Sequence, residues 1–235
     1  MASLIRAVKS AAGDNFWLPK LIIAVYAVYF IDDYIMKSGF GSGPELTSYI
    51  VLGIVFFGCA VTAMHRNINN KCPLFPGIKD IGEAAAKAAC GIISILPGAV
   101  SAAAVFYFFN SVQMEPVNRW LLNILAVLIL SPFIIMPLVL YTARGRIADA
   151  YRFDMINKTA GNFMTSFAGF IIQFAFIYGL CYAVLYYFLV QMFGEVHIII
   201  KILQYTAAVI GFFTSMIYFS DLYDDSIPAF EDEEE

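Results

Sequence analysis

Charge is what this sequence has least of. Asp, Glu, Lys and Arg make up 14% of 235 residues, where soluble domains carry about 25%. The two histidines, His65 and His197, have no second ligand at helical spacing, so no zinc motif forms around them. Four cysteines follow no ligand or disulfide spacing. Cys59, Cys90 and Cys181 fall within or at the ends of apolar runs and Cys72 stands in a loop, as small packing residues do. No Asp, Glu, Lys, Arg or His occupies the centre of any apolar run. Asp32, Asp33, Lys87, Glu195, His197 and Lys201 all sit at run ends, where interfacial water accounts for them. An ionisable residue at mid-membrane is the ordinary mark of proton-coupled transport, an intramembrane aspartyl protease or a buried charge relay, and its absence argues against all three. Basic patches interleaved with aromatics are confined to the loops flanking the apolar runs, so nucleic acid is not an expected partner. No catalytic, metal-ligating or cofactor-binding residue is assigned.

What the chain has in abundance is apolar length. Residues of apolar type reach 61% and mean hydropathy is +0.77. A helix crosses a bilayer in about 20 such residues, and six runs are long enough: 18–36, 47–64, 88–109, 120–141, 163–193 and 198–220. The fold class is therefore all-α, a polytopic membrane protein of six transmembrane helices arranged as three hairpins. The lipid bilayer is its first partner. Ahead of Pro19, Leu4, Ile5 and Val8 recur at helical spacing with Arg6 and Lys9 between them, which predicts a short helix lying on the membrane surface. These basic residues before an apolar run resemble a signal peptide. That run ends in Asp32 and Asp33 without an A-x-A-like cleavage site, so it is read as a retained span. Residues 38–44, SGFGSGP, lack the flanking strand and Lys-Ser or Lys-Thr pair of a phosphate loop and read as a plain turn.

The few positive charges are distributed unevenly. Six spans place Arg6, Lys9, Lys20, Arg66, Lys71, Lys79, Lys87, Arg144, Arg146, Arg152 and Lys158 on one face, and Lys37, Arg119 and Lys201 on the other. By the positive-inside rule the first face is cytoplasmic, and both termini lie there. The segment 142–163 is the longest connector on that face. Its Arg144, Arg146, Arg152 and Lys158 alternate with Ile147, Tyr151, Phe153, Met155 and Ile156, the pattern of an amphipathic cytoplasmic connector whose cations contact the leaflet. The last fifteen residues, 221–235, hold eight carboxylates and no Lys or Arg. They read as a disordered acidic cytoplasmic tail, which lacks the pattern of a calcium loop but could dock a basic protein partner.

Two further patterns concern packing. Cys90, Ser94, Gly98 and Ala102 recur every fourth residue in the third run, and Gly161, Thr165 and Gly169 do so entering the fifth. Such stripes let helices approach closely; packing within the bundle is favoured over a substrate path, and the stripes also leave room for an oligomer. Pro97 in the third run, and Pro132 and Pro137 in the fourth, mark hinges or a cleft, and the carbonyls they free need partners inside the bundle because lipid offers none.

The three connectors divide residues 1–220, a single membrane domain, into units 1–70, 71–145 and 146–220, with faint echoes between Ala11–Phe16 and Thr159–Phe163. Hairpins entering from one face would be parallel repeats about an axis along the membrane normal. The entry Asn15-Phe16-Trp17-Leu18-Pro19-Lys20-Leu21-Ile22, and the loop from Arg66 through Pro76 and Ile78-Lys79-Asp80-Ile81-Gly82, resemble an uncharacterised prokaryotic multi-pass membrane family, a domain of unknown function. The resemblance implies a prokaryotic inner-membrane protein of six-span topology and brings no catalytic residues. These features favour a non-enzymatic transport component or membrane scaffold. A lipid-modifying enzyme using Asp32, Asp33, Arg144, Arg146, Asp149 and Asp154 is the alternative from another class, although the first two face away from the other four. A third reading is an anchor that recruits a basic cytoplasmic partner through the tail.

Overall fold

The computed structural model of the chain describes residues 3–14, 17–38, 43–71, 73–112, 114–194 and 198–226. Among these the regular structure is entirely helical. Helix α1 (Leu4–Ala12) is short and amphipathic, and ends where the Gly13 amide donates to Lys9 O at 2.9 Å. It meets α2 (Trp17–Ser38) at a bend of 99°. Then follow α3 (Gly43–Ile68), a 3-10 turn at Ile78–Asp80 and α4 (Ile81–Ser111). Helix α5 (Pro116–Arg144) opens on proline, whose missing amide costs nothing at that position, and closes on Gly145, whose φ of 73° suits a residue without Cβ. A second 3-10 segment, Ile147–Tyr151, leads into α6 (Phe153–Phe174). A π-helical stretch, Ala175–Leu180, joins α6 to α7 (Cys181–Phe193) without a break, and α8 (Ile198–Ser226) completes the bundle.

Five of these helical segments are long and apolar enough to cross a membrane, and a sixth is reached when the bent pair α1 and α2 is taken as one span. The chain is an all-α polytopic membrane protein. Its helices outrun the sequence-assigned spans: at about 1.5 Å per residue, the 31 residues of α4 exceed the roughly 30 Å of hydrocarbon. Helix α8 likewise continues through Ser226. Asp221 and Leu222, assigned from sequence to the tail, are buried members of that helix, because Leu222 supplies one more apolar position on its inward face. Asp224 and Asp225 also fall within this helix, and the tail's other five carboxylates, in 227–235, lie outside the described residues.

The core is concentrated at one end of the bundle. Buried residues cluster in the C-terminal parts of α3 (Ala60, Val61, Met64), α5 (Met136 to Tyr141) and α8 (Met216 to Leu222), with Leu4 and Ala7 of α1, and Met155, Ile156 and Phe163 of α6, closing around them. This is the end at which both described chain ends meet, Arg6 Nε standing 4.0 Å from Asp221 Oδ2, and we call it the basic end. The far half is open: among the described residues none of α7 or of the π-helical stretch is buried. The hairpins are unequal. Helix α3 packs extensively on α4 and α8, and α4 on α5, whereas α2 leans on α8 and meets α3 only lightly.

Small residues explain the tight pairs. A Cβ on Gly58 would stand 2.2 Å from Ala84 O, and one on Gly98 would stand 2.2 Å from Phe133 O, so α3 touches α4, and α4 touches α5, backbone to backbone. Ser94, Gly98 and Ala102 are buried along this contact, and Cys90 is half-buried beside it. In α6 the situation differs. A Cβ on Gly161 or Gly169 would meet nothing within 4 Å, and Thr165 is exposed. The face that packs there is aromatic: Phe163, Phe167 and Phe170 are buried and stack along the helix and onto Tyr218 and Phe219 of α8.

Candidate functional site

Polar chemistry gathers at the basic end, and helix termini are the reason. The last carbonyls of a helix have no partner within it, and where α3 and α5 finish together beside α8, side chains of α3 reach across to both. His65 Nδ1 donates to Thr142 O of α5 at 2.6 Å. A carbonyl can only accept, so this contact fixes the tautomer with hydrogen on Nδ1. Asn67 Nδ2 donates to Ser220 Oγ at 2.7 Å and to Asp221 Oδ1 at 2.8 Å. Arg66 reaches the other way, to Pro73 O at 3.0 Å and to Asp80 Oδ2 at 2.9 Å. That guanidinium contact, helped by the Gly77 amide at 3.1 Å, holds the Asp80 carboxyl below its ordinary range.

The corner between α1 and α2 joins the same network. Asp14 has a side chain 1% exposed. Its Oδ2 accepts from Lys20 Nζ at 2.7 Å, and its Oδ1 accepts from the Leu74 amide at 2.7 Å. Lys20 donates a further bond to Phe75 O at 3.0 Å. The aromatic entry around Trp17 to Lys20 and the loop 71–80 are thereby tied together through Asp14, residues the sequence separates by about sixty positions. Nothing in the spacing of Asp14, Asn67 or Ser220 marks them beforehand; each becomes a tie only when helix ends meet.

The connector 142–163 turns inward as well as outward. Ala150, Met155 and Ile156 are buried in the core, whereas Phe153 is exposed. Arg146 is exposed, Arg144 and Arg152 are half-buried, and Arg152 Nη2 stands 3.8 Å from Asp154; the side chain of Lys158 lies outside the described residues. Tyr151 Oη donates to Ile93 O at 2.6 Å. That carbonyl is the one Pro97 leaves free, four residues on. The same accounting covers α5. Pro132 frees Leu128 O, which accepts from Ser131 Oγ at 2.8 Å. Pro137 frees Phe133 O, which lies against the backbone of Gly98, the geometry of a Cα–H···O contact. All three prolines sit inside unbroken helices, so neither span is severed.

Toward the opposite end, Asp32 of α2 accepts from Tyr49 Oη of α3 at 3.5 Å and from Tyr205 Oη of α8. It is a clasp across three helices as well as a solvated end. Its distance along α2 from the basic end keeps it apart from Arg144, Arg146, Asp149 and Asp154, as the sequence topology expects. Between these two ends α2 and α3 part. The gap holds an apolar cavity of about 560 Å³, walled by Leu21, Ala24 and Ala27 of α2, Leu52, Val55 and Cys59 of α3, and Val209, Ile210 and Phe213 of α8. Trp17, Lys20, Phe75, Pro76 and Gly77 border it at the basic end. A second space of about 320 Å³ is lined by Ile31, Thr47, Ser48, Val51, Leu52 and Val55. Farther round the bundle Tyr178, in the π-helical stretch, bonds Thr214 at 2.7 Å. Since Thr214 donates to Ile210 O, Tyr178 is the donor.

Fold and site together define an integral membrane protein of the polytopic all-α class, closed at a hydrogen-bonded polar end and open along an apolar cleft. No family model, curated protein or solved structure matches the chain.

Proposed function

We propose that this chain is a non-enzymatic membrane scaffold or transport component of a prokaryotic inner membrane, crossing it six times with both termini cytoplasmic. One observation carries the reading: the groups at the basic end best suited to acid, base or charge chemistry are engaged as ties between chain segments. His65 holds a helix-end carbonyl, Asp14 and Lys20 hold each other and a loop backbone, and Arg66 clamps Asp80. A side chain that must keep such a bond to preserve the fold is poorly placed to cycle a proton. The neighbouring positions of Arg6 and Asp221 support an even number of crossings, and the resemblance of the loop 66–82 supports the prokaryotic assignment. The test is reconstitution of purified protein into phospholipid vesicles, followed by assay of phospholipid and peptide substrates. Turnover equal to that of protein-free vesicles is expected. Turnover that Asp149→Asn or Asp154→Asn abolishes would replace this reading with the lipid-modifying enzyme.

A further inference from the structure

We propose that the cleft between α2 and α3 is a binding site for one acyl chain of a phospholipid drawn from the leaflet at the basic end. The inference goes beyond the scaffold reading and requires only that the chain spans a bilayer. Three features of the cavity carry it. First, it is an apolar cleft open on one side, which a bilayer must fill. Protein interiors are close-packed, and an apolar void of about 150 Å³ already takes up benzene, whereas this one measures about 560 Å³. Water is a poor filler, since a buried water needs two to four polar partners and the wall from Leu21 to Ala27 and from Leu52 to Cys59 offers almost none.

Second, its shape is that of a chain rather than a ring. The wall follows α2 from Leu21 to Ala27 and α3 from Leu52 to Cys59. Along each of these helices the wall advances roughly 10 Å, so the occupant lies along the helix axes. Third, its border at the basic end carries residues suited to the headgroup level. Trp17 and Lys20 stand there, the residue types that mark headgroup level, with Trp17 38% exposed. A lipid whose headgroup rests at that level sends its chain down the cleft toward mid-membrane. The light packing of α2 on α3 is then the consequence of a third body between them. The clasp at Asp32 joins α2 to α3 at one end, and the tie at Asp14 joins the α1–α2 corner to the loop after α3 at the other.

The test uses the full chain in phosphatidylcholine vesicles doped with phosphatidylcholine bearing a diazirine midway along one acyl chain. After illumination, the labelled residues are mapped by peptide mass spectrometry. Label is expected to saturate near one per protein and to concentrate on residues 21–27 and 52–59. Ala27→Phe, which fills the cavity, is expected to lower it about tenfold, while Val184→Phe on the exposed face of α7 leaves it unchanged. If Ala27→Phe does not fold, Ala24→Leu on the same wall gives the same comparison with less added volume. The proposal fails if label rises without saturation and spreads over α7 in proportion to exposure. It also fails if a diazirine fatty acid labels the cleft in vesicles where the phospholipid probe does not, which would assign the site to free fatty acid.

Discussion

A carboxylate enclosed as completely as Asp14 persists because each of its oxygens accepts a bond, from the Lys20 ammonium and from the Leu74 amide. Such a pair adds little net stability over an apolar replacement, but removing one member strands the other. Lys20→Met is therefore expected to destabilise the protein by about 3 kcal/mol, the lower end for a broken buried pair, whereas Lys20→Arg should retain most of the stability; thermal unfolding in detergent reads both. Asp80 makes a different prediction. Its folded carboxyl is held below the ordinary carboxylate range by Arg66, so the folded state binds its proton less readily than the unfolded one. The stabilisation is fully present above about pH 4, the unfolded value, and disappears as pH falls through the lowered folded value. Asp80→Asn should flatten that part of the stability-versus-pH curve, and a curve unchanged by the substitution would remove Asp80 from the account.

At the level of helices, close approach and proline repair decide the packing. Gly98 faces Phe133 O so closely that Gly98→Ala must push α4 and α5 apart, at about 1–3 kcal/mol for an overpacked contact. Gly161→Ala has open space around it and should leave stability level or raise it by up to about 1 kcal/mol through helix propensity. Comparing the two melting temperatures checks which stripe is a seam. Tyr151→Phe deletes the donor to the carbonyl freed by Pro97 and should cost about 1 kcal/mol. In a Pro97→Ala background that carbonyl regains a helical donor, so the cost of Tyr151→Phe should shrink, and a double-mutant cycle measures the difference. Periodicity located the prolines and the need for partners. It could not locate the partners, because Tyr151 lies fifty-eight positions from Ile93 and Gly98 belongs to a different helix from Phe133. The same limit hid the aromatic face of α6: Phe163, Phe167 and Phe170 have the spacing of either a packed stripe or a lipid-facing one.

The molecule as a whole is tightly knit at its basic end and loose at the other. Local opening is cheapest where buried contacts are fewest, so amides of α2 and α7 should exchange with deuterium sooner than those of α3 to α5 when the protein is held in nanodiscs and followed by mass spectrometry. Equal protection of α2 and α4 would count against the open hairpin. What the sequence determined alone is the class of solvent and the count of crossings within one: a helix in lipid must satisfy its own backbone, so apolar length translates directly into spans. Charge asymmetry likewise sorted the loops, setting Arg144, Arg146 and Arg152 at the basic end. What only the tertiary structure decided is which faces meet. Lipid tails are as apolar as leucine, so a membrane helix carries no hydrophobic contrast between the side that touches protein and the side that touches lipid. The ties of Asp14, His65 and Asn67, the seam at Gly98 and the cleft beside Ala27 all depend on that choice of faces, and it is made by backbone approach and hydrogen bonding between segments far apart in the chain.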